Sequence, residues 1–406
     1  MTTEGALAAA AVGLLVTLPS LYLGFLVVVT LLPRRAVAQA ASGADVTVFA
    51  VLVPAHNEEK TIGRTVANLV RLKYPTDRFT VHVVADNCAD ATAAIAHRHG
   101  AVVHERNDPD RRGKGAALNW LVDELHAEAS RIDAYVVVDA DSELSPDFLL
   151  AMSRHLANGA EIVQGLNLVR VSEDRPLIRI RELAFELGCH LKPLAYERLG
   201  SSSGLFGNGM CFSAATLRRY RWNESSVVED AELFFRLVRD GHRIRLATDA
   251  IVRSIMPASL RDAGSQAVRW ERGKFDFTRD VASLLRRGVL RRDRNALFAG
   301  LSGLTPPFAP LALASVLAFV GGAAAGWAGV VVLAAIAILC LFLYVLRGAA
   351  LGRMTPWVVM RILLWAPSYC LWKVGVLALA ALGGGRGEWK RQRAGVSSVE
   401  RPLTVD

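Results

Sequence analysis

The chain is short of the residues that would make it a disulfide-stapled or zinc-bound protein. Its 406 residues include five cysteines, Cys88, Cys189, Cys211, Cys340 and Cys370. No two of them have the paired spacing of a metal ribbon, and they are too sparse for a compact disulfide framework. No zinc site is suggested, and the pattern suits a reducing compartment. No internal repeat or low-complexity tract interrupts the chain, which argues against a solenoid. Charge is missing over Gly5 to Pro33 and again over Pro306 to Leu346. About 20 apolar residues suffice to cross a bilayer as a helix. The cationic start of a cleaved signal peptide is lacking too, because Glu4 precedes an apolar stretch too long for one. Residues 1–40 therefore read as a retained transmembrane anchor.

What is plentiful agrees with this. Hydrophobic residues make up 52% of the chain, more than a soluble core requires. The net charge of +9 would suit nucleic acid, but many cations adjoin apolar stretches, as Arg286, Arg287, Arg291, Arg292 and Arg294 do. Anionic lipid headgroups explain these better than nucleic acid does. Arg34 and Arg35 follow the first apolar stretch, and positive residues beside a span mark its cytoplasmic side. The N-terminus is expected outside and the large polar middle in the cytosol of a bacterial-type plasma membrane.

From Asp45 to Leu246, short β-branched runs alternate with helical stretches, the pattern of an α/β sheet with parallel strands. Val46 to Val53, Thr80 to Ala85, Ala101 to Glu105 and Ala134 to Val138 read as strands. Thr61 to Leu72, Ala91 to His99 and Gly113 to Ser130 read as the helices between them, giving a Rossmann-like nucleotide-binding half. After Asp141 helices are expected near Pro146 to Ala157 and Arg175 to Leu199. The second is either a membrane-surface helix or an ordinary amphipathic core helix. Residues 45–280 form the expected catalytic domain and 281–305 an interfacial segment. Residues 306–347 form a transmembrane hairpin turning at Gly326 to Gly329 and returning to the cytosol at Arg347. Residues 355–383, interrupted by Arg361, Pro367 and Lys373, form either a broken interfacial or re-entrant helix or a further span. A basic tail, 384–406, follows.

Five polar motifs run through this frame. Val53-Pro-Ala-His-Asn-Glu-Glu59 leaves a strand at its carboxyl edge, where open α/β sheets bind ligands. Pro54, Asn57 and Glu58 there suit a base or ribose, although a helix cap explains Asn57 and Glu58 as well. Asp86, in Ala85-Asp-Asn-Cys-Ala-Asp90, can accept a pyrimidine N–H, or serve as a strand-end turn. Asp139-Ala-Asp141 follows the strand Tyr135 to Val138. Residues i and i+2 of an extended chain face the same way, so both carboxylates can hold a hard divalent cation, Mg²⁺ or Mn²⁺. Glu229-Asp230 opens a helix and offers a base for an acceptor hydroxyl. Gln266-Ala-Val-Arg-Trp270 offers a cation near a leaving group, or a membrane anchor. Between them, Lys114 in Gly113-Lys-Gly115 adds a point charge for a diphosphate.

In order and spacing these motifs resemble the membrane-embedded family 2 glycosyltransferases, inverting enzymes of GT-A fold. Ala85 stands where many relatives have a first aspartate, and Val228 where the family has threonine before Glu-Asp. The resemblance implies a nucleotide-sugar donor, most simply a UDP-sugar, bound by Pro54, Asn57, Glu58, Asp86, Lys114, Asp139, Arg269 and Trp270. It implies a metal on Asp139 and Asp141, Asp230 as the catalytic base, and Gly207, Asn208, Gly209, Glu229, Gln266 and Trp270 near the donor sugar or acceptor. Trp389-Lys-Arg-Gln-Arg393 resembles a gating segment of some polysaccharide synthases. The expected activity is sugar transfer to a saccharide or lipid-linked acceptor in cell-surface polysaccharide synthesis, with membrane lipids, and a homo-oligomer or an export protein, as partners. A polyprenyl-phosphate sugar synthase and a non-catalytic nucleotide-sugar-binding membrane protein stay open.

Overall fold

The computed structural model describes residues 3–33, 47–127, 131–171, 174–223, 228–255, 264, 267–268, 270–273 and 277–382. Strand β1 (Phe49–Ala55) is an apolar run buried along its whole length, as expected of a strand covered on both faces. It pairs in parallel with β2 (Phe79–Asp86), and β2 pairs in parallel with β3 (Val102–Arg106). On its other side β1 pairs in parallel with β4 (Ala134–Val137). Helices Ile62–Leu69, Thr92–Arg98 and Lys114–Ala127 make the crossovers. The expected first strand is shifted by the structure, beginning at Phe49 rather than Val46.

Four more strands, β5 (Ser142–Leu144), β6 (Ile162–Arg170), β7 (Met210–Ser213) and β8 (Ile244–Ile255), complete an eight-stranded sheet in the order β3-β2-β1-β4-β7-β6-β8-β5. Strand β7 runs antiparallel to β4, with Val137 opposite Met210. The carboxyl end of β4 and the turn that feeds β7 are thereby forced side by side. Alternate residues of β1 point to opposite faces. Ala50 and Leu52 join a core with Leu118, Tyr135 and Phe212, whereas Val51 and Val53 join one with Val136, Phe148 and Met152.

The helices Thr278–Leu290 and Arg294–Leu304 were expected to form an interfacial segment. One face of them, Val281, Leu284, Ala296 and Ala299, shares the first core with Leu233 and Leu237 of helix Glu229–Arg239, while Val289, Leu290 and Leu304 are exposed.

Among the described residues three helices are long and apolar enough to cross a membrane: Ala9–Leu31 (the apolar part of helix Thr3–Leu31), Ala328–Leu351 and Pro356–Ala381. A fourth is obtained if Arg294–Leu304 and Phe308–Ala324, bent by 66° at their junction, are one span. The helix expected to end at Arg347 continues to Leu351. Arg347 lies within it and donates through Nε to Thr30 Oγ1 at 2.9 Å and through Nη2 to Thr30 O at 3.1 Å. The first helix and Ala328–Leu351 pack closely. A Cβ added at Gly13 would lie 2.7 Å from Leu333 Cδ1, and Thr17 Oγ1 donates to Leu333 O at 3.0 Å. Small residues at such crossings let backbones approach.

Helix Pro356–Ala381 runs unbroken through Pro367, so the expected break is not there. It is held at two places. Arg361 pairs with Asp174 at 2.8 Å, and Lys373 with Glu271 at 2.8 Å. Val376 and Ala380 pack against Ala267 and Val268. The basic tail 384–406, including Trp389 to Arg393, lies outside the described residues.

Candidate active site

Asp139 follows β4, and its Oδ1 accepts from Lys114 Nζ at 2.5 Å. Lys114 is the first residue of its helix and also donates to the Gly207 carbonyl at 2.5 Å. The 206–209 turn is tied to the same strand end. Asp139 N donates to Asn208 Oδ1 at 3.1 Å, and Asn208 Nδ2 donates to Ser142 Oγ at 2.9 Å and Ser254 Oγ at 3.2 Å. The Asn208 side chain thus ties the turn to the end of β4 and to Ser142 and Ser254, and the residue lines the cavity beside Asp139. Gly207 has φ +74°, and a Cβ there would lie 3.2 Å from Asp230 Oδ2 and 3.5 Å from Lys114 Nζ. Glycine lets this backbone, the base and the cation meet. At Gly209 (φ +66°) a Cβ would fall 2.5 Å from Val252 Cγ1, leaving no room for a side chain.

Gln164 holds the turn from below. Its Nε2 donates to Asn208 O at 2.8 Å and Gly165 O at 2.9 Å, and its Oε1 accepts from Phe206 N at 3.1 Å. Sequence reasoning missed it. The one available signal was a lone glutamine in the apolar run Ile162 to Leu166, since a buried polar side chain needs partners.

The electrostatics bind these residues into one cluster. Burial pushes the Asp141 carboxyl up to about 7, and the charges of Asp139 and Glu58 add to the effect. Burial likewise pushes Asp230 up to about 6; Glu229 reinforces the rise and Lys114 opposes it. For Lys114, burial by itself lowers the value, but Asp139, Glu229 and Asp230 together leave it raised. Glu58, Lys114, Asp139, Asp141, Gly207, Glu229 and Asp230, singled out separately along the sequence, therefore converge. Mutual repulsion among Glu58, Asp139 and Asp141 is what a divalent cation relieves, and two carboxylates are hard donors suited to Mg²⁺ or Mn²⁺. Among the described residues no group of three or more His, Cys, Asp or Glu encloses a metal by itself. A cation on Asp139 and Asp141 would complete its shell with substrate oxygens.

Pro54 is buried within β1, and Asn57 sits beyond its carboxyl end with φ 56°. Asn57 Oδ1 accepts from Ala89 N at 2.8 Å, and Glu58 Oε2 accepts from Thr61 Oγ1 at 2.8 Å. Asp86, 1% exposed, meets Arg106 at 2.5 Å through Oδ1, while its Oδ2 has no partner in the protein. Arg106 was also missed, although β2 and β3 end in register on residues of opposite charge. Trp270 is 38% exposed and meets the Phe185 ring edge-on at 6.2 Å. Gln266 and Arg269 lie outside the described residues. A cavity of about 660 Å³ joins Asp139, Asp141, Asp230 and Trp270 at one end to Leu23 and Tyr344 of the apolar helices at the other.

Comparison with known proteins agrees with this architecture. The chain is 27% identical over 232 residues to the probable glycosyltransferase YdaM of Bacillus subtilis, covering 55% of this chain and 54% of that protein. It is 24% identical over 244 residues to a poly-beta-1,6-N-acetyl-D-glucosamine synthase of Staphylococcus aureus, covering 58% and 57%. The matches thus span just over half the length of these curated relatives. A mannosyltransferase from Pyrobaculum calidifontis, solved with GDP-Man and Mn²⁺, shares the fold over 93% of this chain and 97% of its own, with a TM-score of 0.60 and 18% identity. Residues 47–273 match Glycosyltransferase like family 2, and the chain, more than half of it within that match, belongs to the family 2 glycosyltransferases.

Proposed function

We propose that the protein is an integral membrane transferase that moves a sugar, with inversion, from a UDP-sugar to a saccharide or lipid-linked acceptor in the synthesis of a cell-surface glycan. The observation that carries this reading is the convergence of Asp139, Asp141 and Asp230 on one cavity that reaches the apolar helices, with Lys114 bonded to Asp139 beside it. The acceptor oxygen attacks the anomeric carbon from the face opposite the diphosphate. The bond from that carbon to the diphosphate oxygen breaks, its electron pair leaves with the nucleotide, and the hydroxyl proton passes to Asp230. Positioned proton removal contributes about 10²- to 10⁴-fold. Lys114 places positive charge beside Asp139 at the leaving-group end. A divalent cation held by Asp139 and Asp141 would neutralise the donor diphosphate. The unpartnered Asp86 Oδ2 supplies the acceptor that a uracil ring N–H needs. Arg269 and Trp270 are assigned to the leaving diphosphate and the transfer point.

The test is turnover by the full chain in lipid, with Mn²⁺ or Mg²⁺ and a panel of UDP- and GDP-sugars, reading nucleotide release and product mass together. Metal-dependent release of UDP with a mass gain of one or more sugars is expected. Absence of metal-dependent donor binding would overturn the reading.

A further inference from the structure

We propose that the acceptor is a lipid carrying a hydroxyl at its head, taken into the cavity from the leaflet that adjoins the catalytic domain. The inference rests on the transferase reading above and deepens it.

The cavity has two unlike ends. Asp139, Asp141 and Asp230 form the chemical end; Leu23, Leu187, Phe308 and Tyr344 form an apolar end. Leu23 lies eight residues before the last residue of its helix, Leu31, and Tyr344 seven before Leu351. At 1.5 Å per residue the cavity reaches ~10–12 Å below those helix ends, into hydrocarbon depth. Farther in, the same helices close on each other through Gly13, Thr17 and Leu333. Ala334 and Ala337 there are fully buried. Among the described residues, then, the cavity enters the membrane layer and stops. A blind apolar pocket holds the chain end of a lipid; a growing glycan needs a polar path through.

One wall is the non-helical link Thr305 to Pro307, at the 66° bend before Phe308–Ala324, a break through which a lipid reaches the pocket from the side. The cavity is also lined by Arg181 and Lys192, positive charge suited to headgroup depth, and by Lys373, whose charge is paired with Glu271 at 2.8 Å. The head must be a hydroxyl because Asp230 stands at the chemical end. A hydroxyl oxygen attacking the anomeric carbon sheds a proton that Asp230 takes, while the diphosphate leaves with the bonding electrons. A phosphate monoester dianion has no proton to give and no use for that base.

The full chain in nanodiscs is given radiolabelled UDP-sugar with one of four acceptors: dioleoylglycerol, an isoprenyl-diphosphate monosaccharide, a long-chain isoprenyl monophosphate, or a free β-linked tetrasaccharide. Label entering the organic phase with either of the first two supports the proposal and tells a lipid alcohol from a lipid-linked sugar. Label on the isoprenyl monophosphate, or only on the water-soluble tetrasaccharide, overturns it. Gly188 lines the cavity, and a Cβ there would touch nothing within 4 Å, so Gly188→Phe begins from an open position on the cavity wall and directs bulk at the pocket. It should raise the KM for the lipid acceptor at least ten-fold and leave UDP binding and donor hydrolysis unchanged. An unchanged lipid KM overturns the proposal. Thermal stabilisation by either lipid, lost in Gly188→Phe, reads occupancy without turnover, and its absence likewise counts against the proposal. Loss of metal-dependent UDP binding in the unaltered protein would instead mark failure of the transferase reading.

Discussion

Asp230 has to be ionised to accept a proton, and burial with the neighbouring Glu229 charge holds it protonated up to about 6. Its carboxylate is therefore lost as pH falls through about 6, where an exposed aspartate would persist to about 4. The kcat/KM profile should rise about ten-fold per pH unit below about 6 and level off above it. Glu229→Gln removes one cause of the rise and should move that limb to lower pH; an unmoved limb would assign it to another group. Asp230→Asn keeps the shape and loses the base, so transfer should fall about 10²- to 10⁴-fold with UDP affinity unchanged. Asp139→Ala and Asp141→Ala should each abolish the Mn²⁺-dependent part of UDP binding by calorimetry, while metal-free binding persists.

At the scale of elements, the site depends on a turn and a helix that never touch the reacting atoms. Gln164 is fully buried and satisfies two backbone groups, Phe206 N and Asn208 O, of the segment that carries Gly207 to Gly209, besides the carbonyl of its neighbour Gly165. Gln164→Leu strands those groups at a cost of about 1–3 kcal/mol each. A lower melting temperature and weaker donor binding are expected together, because the turn also carries Asn208, the partner of Asp139. Helix Pro356–Ala381 is clamped through the Lys373–Glu271 pair, whose side chains are 17% and 6% exposed. Removing one member leaves a buried charge and costs about 3–5 kcal/mol. Lys373→Met alone should therefore lower thermal stability more than Lys373→Met with Glu271→Leu. The reverse order would show that the pair is solvated.

At the scale of the molecule, the decisive question is how that last helix meets the bilayer. Arg361 reaches Asp174 near its start, and Val376 and Ala380 reach Ala267 and Val268 near its end. Fifteen residues separate Arg361 from Val376, ~22 Å of helix, and both ends stay against the catalytic domain. We read the helix as lying along the membrane surface, in keeping with cations after residue 384 that a crossing would place outside. Nitroxides at the exposed positions Leu364, Leu371 and Leu379 should report similar shallow depths. Depth that increases steadily from 364 to 379 would make it a span.

The alternation of short β-branched runs and helical stretches was enough to read the α/β sheet, because strand periodicity is a local property, and the order of motifs, through its resemblance to family 2 glycosyltransferases, singled out Asp139, Asp141 and Asp230 as candidates. The apolar stretches were legible for the same reason: hydrophobic length is additive along the chain. Gln164 and Arg106 were not legible, since a buried polar side chain declares itself only through partners 20 to 45 residues away. Nor was the packing of one face of residues 278–304, where Val281, Leu284, Ala296 and Ala299 meet Leu233 and Leu237 only once the chain is folded. Tertiary structure alone placed Gly207 between Lys114 and Asp230, because the antiparallel entry of β7 beside β4 brings together segments that no sequence period connects. It alone set the cavity between the site and the apolar helices, a volume that exists only after distant elements pack.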